Sequence, residues 1–246
     1  MVFIDVHCHL DFYNNKEIKK IIENSKKSNV KIIVVNGVNP KSNKRIIEIS
    51  NNYPEIKASL GLYPTDSVKL SKDQIQEEIE FIKKNEIIAI GEIGLDLKEL
   101  ESLDKQEKNF RKMLKLAKEL NKPVIVHSRK AEKQVIEILK AENIKKVVMH
   151  CFCGKIKLVE KIIENNWMLS IPSNVKHSEQ FQKMIEIAPI ENLLCETDSP
   201  FLHPDKEMNN TPVNVIESYK KIAEIKNLKI EKVEKEIEKN YKRIFS

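Results

Sequence analysis

The sequence has little of what marks an exported, membrane-bound or disulfide-stabilised protein. Only 4 of its 246 residues are cysteine, too few for a disulfide scaffold in a chain of this length. No stretch approaches the roughly 20 consecutive apolar residues of a membrane span. The N-terminus carries Asp5, His7 and His9 where an export signal would be apolar. We therefore expect a cytoplasmic protein that does not enter a membrane and shows no sign of an obligatory protein partner.

Arginine is scarce, and acidic residues do not dominate. The four arginines lie at positions 45, 111, 129 and 243, so an arginine beside a candidate site is more informative than one of the many lysines. Lysine and arginine together number 43 against 37 acidic residues, a net charge of +6. This modest excess tolerates a polyanionic substrate without requiring one. Hydrophobic residues make up 41% of the chain, which is ample for a globular core.

Short runs rich in Ile and Val alternate with longer segments in which apolar residues recur every three or four positions, as expected for strands alternating with helices. The predicted strands are Val2–Val6, Ile32–Val35, Ile56–Leu60, Ile87–Ile90, Val124–Val126, Val147–Met149, Trp167–Ile171 and Leu193–Cys195. The predicted helices cover 15–28, 41–51, 71–84, 104–119, 130–141, 155–164, 177–187, 213–226 and 229–242.

Eight such units in one chain of this length predict an α/β fold, a TIM-like (β/α)8 barrel forming a single domain over residues 1–246. A doubly wound open sheet is the competing architecture. Helix starts are indicated by Ser71 with Gln74 and by Asp104 with Glu107. The stretch from Ser199 to Pro212 predicts a loop at the barrel rim.

Two imidazoles stand two residues apart at the end of the first predicted strand, in Asp5-Val6-His7-Cys8-His9. Alternate side chains of a strand share one face, so His7 and His9 can reach one ion. Imidazole is a common ligand of divalent transition metals. A pair of ordinary surface or core histidines is the alternative interpretation.

Other potential ligands follow other predicted strands. Glu92, His127, His150 and Asp198 each come at or just after a predicted strand end. In a (β/α)8 barrel, active sites are built from the carboxyl ends of the strands. This placement favours a common metal site over unrelated side chains.

Four imidazoles and two carboxylates exceed the needs of one tetrahedral site, so two divalent ions sharing Glu92 are the economical arrangement. Such a pair supports hydrolysis, with Asp198 both ligating and accepting the proton of the attacking water. We therefore expect Asp198 and Glu92 to be catalytic and the metal to be Mg, Mn or Zn, with no preference readable from the sequence.

Five motifs, in this order, resemble the TatD-like metal-dependent deoxyribonuclease family of the amidohydrolase superfamily. They are Asp5-Val6-His7-Cys8-His9-Leu10, Gly91-Glu92-Ile93-Gly94-Leu95-Asp96, residues 123–129 (PVIVHSR), residues 150–154 (HCFCG) and residues 196–200 (ETDSP). The resemblance implies a TIM-like barrel and hydrolysis of phosphodiester bonds in DNA by a 3′ to 5′ exonuclease, with single strands or 3′ ends as the substrate.

The same resemblance implies how the ligands are divided. His7, His9 and Asp198 match the ligands of one metal, Glu92 matches the bridge, and His127 and His150 match the ligands of the second metal. Departures from the family affect the substrate side. The family often has Gly-x-His-Pro where this chain has Tyr63 before Pro64, and often Tyr, Ser and a small residue at the positions of Leu97, Cys153 and His203.

Four further residues are candidates for binding the substrate. Arg129 lies two residues after His127 and suits a phosphate, unless it forms a rim salt bridge. Tyr63 can donate a hydrogen bond through its hydroxyl. Asp96 either orients a substrate group or holds its turn, and His203 on the rim loop either meets the substrate or is a surface residue.

The remaining chemistry-bearing residues favour structural roles. Cys8, Cys151 and Cys153 are expected to be buried and packed rather than to bind zinc. In an extended chain Cys8 and Cys151 would point away from His7 and His150, and no paired C-x-x-C occurs. His177 is expected at the surface near a helix start. Of the aromatic residues that could stack bases, Tyr63, Phe152, Trp167 and Phe201, the tryptophan is more typical of a core position.

Two alternatives to a nuclease stay open at the level of sequence. Barrels of this kind also cleave esters, lactones and amides, and some relatives are proposed to deacylate D-aminoacyl-tRNA. A binding module that has lost turnover is the other alternative, but a decayed site would be expected to have lost at least one of the six ligands.

Overall fold

Eight parallel strands form one sheet in the order of the sequence, with helices between them. The computed structural model describes residues 2–98, 102–205 and 209–246, and the rim-loop prediction at 206–208 lies outside these ranges. Each strand from the first to the eighth pairs in parallel with the next. The strands are β1 Phe3–Cys8, β2 Val30–Asn36, β3 Ile56–Leu60, β4 Ala89–Asp96, β5 Val124–Arg129, β6 Val147–Met149, β7 Met168–Pro172 and β8 Leu193–Glu196.

Except for the short helix at Pro64–Ser67, which was not predicted, the described helices follow the predicted periodic segments closely. They are α1 Asn15–Lys27, α2 Pro40–Asn52, α3 Pro64–Ser67, α4 Lys72–Lys83, α5 Leu103–Glu119, α6 Glu132–Ala141, α7 Ile156–Glu164, α8 Glu179–Ile187, α9 Val215–Lys226 and α10 Ile230–Phe245. Short 3₁₀ turns at Leu10–Phe12 and Ser173–His177 were not predicted. No helix in the described ranges has the length and apolarity needed to cross a bilayer.

Side-chain hydrogen bonds join the last strand to the first. The Thr197 hydroxyl donates to Asp5 Oδ2 over 2.6 Å, and the Thr197 amide donates to Asp5 Oδ1 over 3.0 Å. One residue further on, the Asp198 amide donates to the His7 carbonyl over 2.9 Å. β8 therefore lies beside β1, and the sheet forms the predicted TIM-like barrel rather than an open doubly wound sheet.

Several predicted element boundaries need correction, and those of β4 and α5 have clear physical reasons. β4 continues to Asp96 instead of ending at Ile90, because its outer half pairs with β5 up to Asp96 and Arg129. The Ser71 capping box with Gln74 is present, whereas α5 begins one residue before Asp104 and Ser102 precedes it without a side-chain cap. Asp104 therefore lies in the first turn, where its charge favours the helix dipole.

Candidate metal centre

Six side chains from five strands meet at the carboxyl ends of the barrel strands. All six are largely buried and lie in one cluster, whose members are His7, His9, Glu92, His127, His150 and Asp198. Among the described residues, no lysine or arginine forms an ion pair with any of these six side chains. The two carboxylates stabilise positive charge in this buried place, and a divalent cation would supply that charge while the imidazoles are neutral.

The first group of the cluster has the dimensions of a metal ligand shell. His7 Nε2 and His9 Nε2 lie 3.1 Å apart, and each is 3.4 Å from Asp198 Oδ1. Glu92 Oε2 lies 3.5 Å from both nitrogens. Ligands about 2.1 Å from a tetrahedral ion are separated by roughly 3.4 Å. The atoms of His7, His9 and Asp198 therefore fit one divalent ion, with Glu92 Oε2 beside the two imidazoles.

The second group uses the other oxygen of the same glutamate. Glu92 Oε1 lies 2.9 Å from His127 Nδ1 and 3.7 Å from His150 Nε2. These three side chains can ligate one ion and leave positions for water or substrate. The two oxygens of Glu92 thus face two separate sets of imidazoles, which is the geometry of a bridging carboxylate.

Hydrogen bonds on the outer side of three rings fix which nitrogen faces the cluster. His9 Nδ1 donates to the Asn36 carbonyl over 2.9 Å, and His150 Nδ1 donates to Glu196 Oε2 over 3.0 Å. His127 Nε2 lies 3.2 Å from Asp96 Oδ2. Each ring therefore keeps its remaining lone pair toward the cluster, as metal-binding histidines do. These tautomers are assigned from the hydrogen-bond partners.

Glu196 is an outer partner rather than a ligand, although it lies near His7 and His150. Its Oε1 accepts the Cys151 amide over 3.0 Å, and its Oε2 accepts the Ser170 hydroxyl over 2.6 Å in addition to the His150 ring. This fully buried carboxylate has its acceptor capacity engaged by the protein. It holds His150 in place.

The buried imidazoles and carboxylates stabilise each other's charged forms. Burial opposes ionisation of Glu92, but hydrogen bonds from His127 and His7 hold the pKa of this carboxyl well below its usual range. Burial likewise opposes ionisation of Asp198, but hydrogen bonds from His7 and His9 lower its pKa. Burial opposes protonation of His127, but hydrogen bonds to Asp96 and Glu92 raise its pKa to about 9. The two ionised carboxylates of the cluster therefore stabilise positive charge on the groups beside them.

Backbone geometry brings these side chains together. Asp198 adopts a left-handed backbone with φ of 54°, which aspartate tolerates, just beyond β8. Gly94 has φ of 144°, and a Cβ there would lie 1.9 Å from the His127 carbonyl oxygen. A Cβ on Gly61 would lie 2.6 Å from the Glu92 carbonyl oxygen. These glycines allow the neighbouring strands to approach the segment that carries Glu92.

The cluster lies at the bottom of a cavity of about 650 Å³. Arg129 lines this cavity and is exposed. Arg45, Arg111 and Arg243 all have hydrogen-bonded partners, whereas no described residue pairs with the Arg129 guanidinium. The rim salt bridge considered for Arg129 is therefore absent among the described residues, and the phosphate-binding role stays a prediction.

Tyr63 and Asp96 act on the cluster through His127. The Tyr63 hydroxyl donates to Asp96 Oδ2 over 2.7 Å and lies 3.1 Å from His127 Nε2. Burial, reinforced by Glu92 and Asp96, raises the pKa of Tyr63, so its hydroxyl stays protonated. Burial opposes ionisation of Asp96, but hydrogen bonds from His127 and the Lys98 amide lower its pKa. Asp96 therefore orients a ring and also holds its turn.

The two remaining histidines lie outside the cluster. His203 is half-buried, accepts the Asp205 amide at Nδ1 over 3.1 Å and lies outside the lining of the cavity. His177 is placed near a helix start as predicted, and its Nε2 donates to the Pro204 carbonyl over 2.7 Å. The structure thus does not bring His203 to the cluster.

The expectation of buried cysteines is confirmed for Cys8 and wrong for Cys151 and Cys153. Cys8 and Cys195 are buried, but Cys151 is half-buried and Cys153 is exposed, and both line the cavity. The 150–154 segment bends away from β6, with Cys151 at φ of 42°, so strand alternation does not apply to it. No possible ligand group in the described ranges includes a cysteine.

The aromatic residues divide between core and mouth. Trp167 is buried, as predicted, and its indole donates to the Ile144 carbonyl over 3.0 Å. Phe152 is also buried, so it cannot stack a substrate base. Phe201 and Tyr63 line the cavity together with Phe12, which the sequence did not single out.

Sequence reasoning missed three residues that build the site, Asp5, Asn36 and Glu196. Strand alternation could have identified Glu196, because it lies two residues before Asp198. Asp5 has the same spacing from His7. Asn36 could not be identified from the sequence, because it contributes its backbone carbonyl oxygen, which a residue of any type at this position would also provide.

Comparison with known proteins gives a consistent family relationship. The family model described as TatD related DNase matches residues 4–246. An uncharacterized metal-dependent hydrolase of Methanocaldococcus jannaschii is 38% identical, over 99% of this chain and 96% of the relative. A human protein named deoxyribonuclease TATDN3 is 30% identical, over 94% of this chain and 89% of the relative.

A solved structure supports the same fold. The crystal structure of a TatD homolog from Escherichia coli superposes with a TM-score of 0.93 at 24% sequence identity. The match covers 99% of this chain and 97% of the other. At this identity the likeness concerns the fold, and it agrees with the barrel described above.

Proposed function

This chain belongs to the TatD related DNase family of metal-dependent hydrolases, and we propose that the bond it hydrolyses is the phosphodiester bond of DNA. The observation that carries this proposal is the guanidinium of Arg129, which lines the cavity above the cluster and has no hydrogen-bonded partner among the described residues. A forked cation beside buried metal ligands suits a phosphate group. The name of the human relative, a deoxyribonuclease, supports the same substrate.

We assign two divalent ions, Mg, Mn or Zn, to the cluster. His7, His9 and Asp198 would hold the first ion, His127 and His150 would hold the second, and Glu92 would contribute one oxygen to each. When bound, such ions supply the Lewis acidity that makes water nucleophilic at neutral pH and offsets charge on the phosphoryl oxygens. The donor set of imidazoles and carboxylates suits this chemistry.

The chain's own residues position the substrate and move the proton. Asp198 faces the imidazoles through Oδ1, and its carboxylate is ionised at neutral pH, so it is placed to accept the proton of the attacking water. Arg129 binds a nonbridging phosphate oxygen. Tyr63 keeps its proton and, with Asp96, holds His127 for ligation.

Cleavage from the 3′ end of a single strand is the direction of action that the family resemblance implies, and we include it in the proposal. A binding module without turnover is disfavoured because all six potential ligands converge. Ester, lactone or D-aminoacyl-tRNA hydrolysis would use the same cluster, so these reactions are alternative outcomes of the test below.

The test uses chelated protein, end-labelled single-stranded DNA and added Mg²⁺, Mn²⁺ or Zn²⁺. We expect shortening from the 3′ end that requires metal and falls about 10²- to 10⁴-fold in Asp198→Asn. Glu234→Gln, a buried carboxyl remote from the cluster, is the matched control. Intact DNA under every metal, with cleavage of an aryl ester, a lactone or D-aminoacyl-tRNA, would overturn the DNase assignment and keep the hydrolase.

A further inference from the structure

Two phenylalanines stand exposed at the mouth of the cavity. In the described ranges, the large apolar side chains that are exposed are Phe12, Phe201 and Leu228, with exposed fractions of 59%, 50% and 36%. The first two touch each other edge to face, with ring centroids 5.7 Å apart and planes at 76°. Adjacent exposed apolar rings beside a cavity are typical of a binding surface. We call the pair Phe12 and Phe201 the aromatic wall.

The aromatic wall lies directly beside the metal ligands. The ring centroid of His9 is 6.1 Å from that of Phe12 and 6.3 Å from that of Phe201. His9 Nε2 in turn lies 3.4 Å from Asp198 Oδ1, the proposed proton acceptor. A group held against the wall would therefore neighbour the bond being cleaved.

Hydrogen bonds fix the backbone on both sides of the wall. The Phe201 amide donates to the Asp198 carbonyl over 2.8 Å, and the Phe201 carbonyl accepts Asn210 Nδ2 over 2.7 Å. The turn that carries Phe12 is followed by Tyr13, whose hydroxyl donates to the Asn210 carbonyl. The two rings thus project from segments anchored to one buried asparagine.

The wall and Arg129 lie on opposite sides of the cluster. Phe12 and Phe201 follow β1 and β8, which are neighbours, whereas Arg129 ends β5, four strands away from β1 in a ring of eight. A ligand spanning the mouth would place a flat apolar group on one side and an anion on the other. A nucleotide with an unpaired base has both groups, and its base has a free face to stack on an aromatic ring.

We propose that the aromatic wall stacks an unpaired nucleobase next to the scissile phosphate, which selects single-stranded ends as substrate. This inference rests on the proposed phosphodiesterase function. A base inside a duplex is already stacked on its neighbours, so it has to leave the helix before it can contact the wall. Phe12 and Phe201 are therefore specificity residues, and they take no part in proton transfer.

The kinetic test compares two single-stranded oligonucleotides that differ in the terminal residue, one with a base and one with an abasic analogue. Wild type is expected to prefer the intact terminus by about 5- to 100-fold in kcat/KM, the range of one stacked base. In Phe12→Ala/Phe201→Ala this ratio is expected to fall toward one. Phe201→Trp should keep the preference, and Leu228→Ala, an exposed apolar side chain away from the cavity, is the matched control.

A binding measurement separates this inference from the proposed function. An oligonucleotide with 2-aminopurine at its end reports stacking through fluorescence quenching, without turnover. We expect quenching by wild type and Leu228→Ala, and loss of quenching in the double variant. If neither oligonucleotide is cleaved but this quenching pattern is found, the proposed function is wrong, while the stacking of a base on the aromatic wall is confirmed.

Three outcomes would overturn the aromatic wall as a base-binding site. One is an equal loss of kcat/KM on both oligonucleotides, which indicates a structural role. Another is unchanged discrimination or unchanged quenching in the double variant. The third is a change in oligomeric state of the double variant in sedimentation, which would make the wall an interface between copies of this chain.

Discussion

At the scale of single residues, three of the four rings of the cluster are oriented by a hydrogen bond to a group behind them. Glu196 is fully buried and accepts hydrogen bonds from His150, Ser170 and the Cys151 amide. Its charge makes the His150 ring a stronger ligand and keeps the proton on the outer nitrogen. Asp96 does the same for His127 on the other side of the second group.

We expect Glu196→Gln to weaken binding to the second metal group by about 10- to 100-fold, because the amide supplies no charge to the His150 ring. The first group should keep its affinity, since His7, His9 and Asp198 do not contact Glu196 through the ligating atoms. Calorimetric titration of chelated protein with Mn²⁺ would separate the two steps. If the affinities of both groups fall equally, or if neither affinity falls, Glu196 does not act through His150.

The six potential ligands could be predicted because all lie at or directly after strand ends, and because four of them are histidines, of which the chain has only 6. Phe12 could not, because an exposed phenylalanine and a buried one look alike in sequence. His203 shows the reverse problem. Its place on the rim loop suggested a contact with substrate, but the side chain instead accepts the amide of Asp205.

At the scale of elements, the eight strands and most helices follow from apolar periodicity, while their ends do not. Gly91 and Gly94 interrupt the apolar run of β4, which made the strand appear to end at Ile90. Its continuation to Asp96 depends on pairing with β5, a contact between distant segments. The start of α4 was predicted correctly at Ser71, because the capping residue and its partner Gln74 are only three residues apart in the sequence.

The cap of α4 gives a stability prediction. The Ser71 hydroxyl accepts the Gln74 amide over 3.1 Å at an exposed helix start. Ser71→Ala should lower the free energy of unfolding by about 1 kcal/mol, because that amide loses its acceptor. Urea denaturation would measure the change against Ser50→Ala, whose hydroxyl bonds a carbonyl near the end of α2. A midpoint equal to that of the control would contradict the capping role.

At the scale of the whole molecule, barrel closure creates the site. His7 on β1 meets Asp198 after β8 only because Asp5 and Thr197 join these two segments across almost the entire chain. Counting eight β/α units favoured a barrel but did not exclude an open sheet. The sequence contains no direct signal for this pairing.

The stability of the metal-free protein is expected to depend on pH through His127. Its pKa rises from 6.5 to about 9 in the folded chain, so its contribution is complete below pH 6.5 and is lost as pH rises through 9. Bound metal requires the neutral ring, so metal-loaded protein should lack this slope. Urea denaturation from pH 6 to 9, with and without chelator, would compare the two. The prediction is wrong if the free energy of unfolding changes with pH in the same way in the metal-free and the metal-loaded protein.

The central claim is that a cluster divided by Glu92 holds two ions that together support hydrolysis of DNA. The most direct measurement is the rate of single-stranded DNA cleavage by chelated protein as a function of the number of Mn²⁺ ions bound per chain. The account predicts full activity only when two ions are bound. Full activity with one ion, or with none, would contradict it.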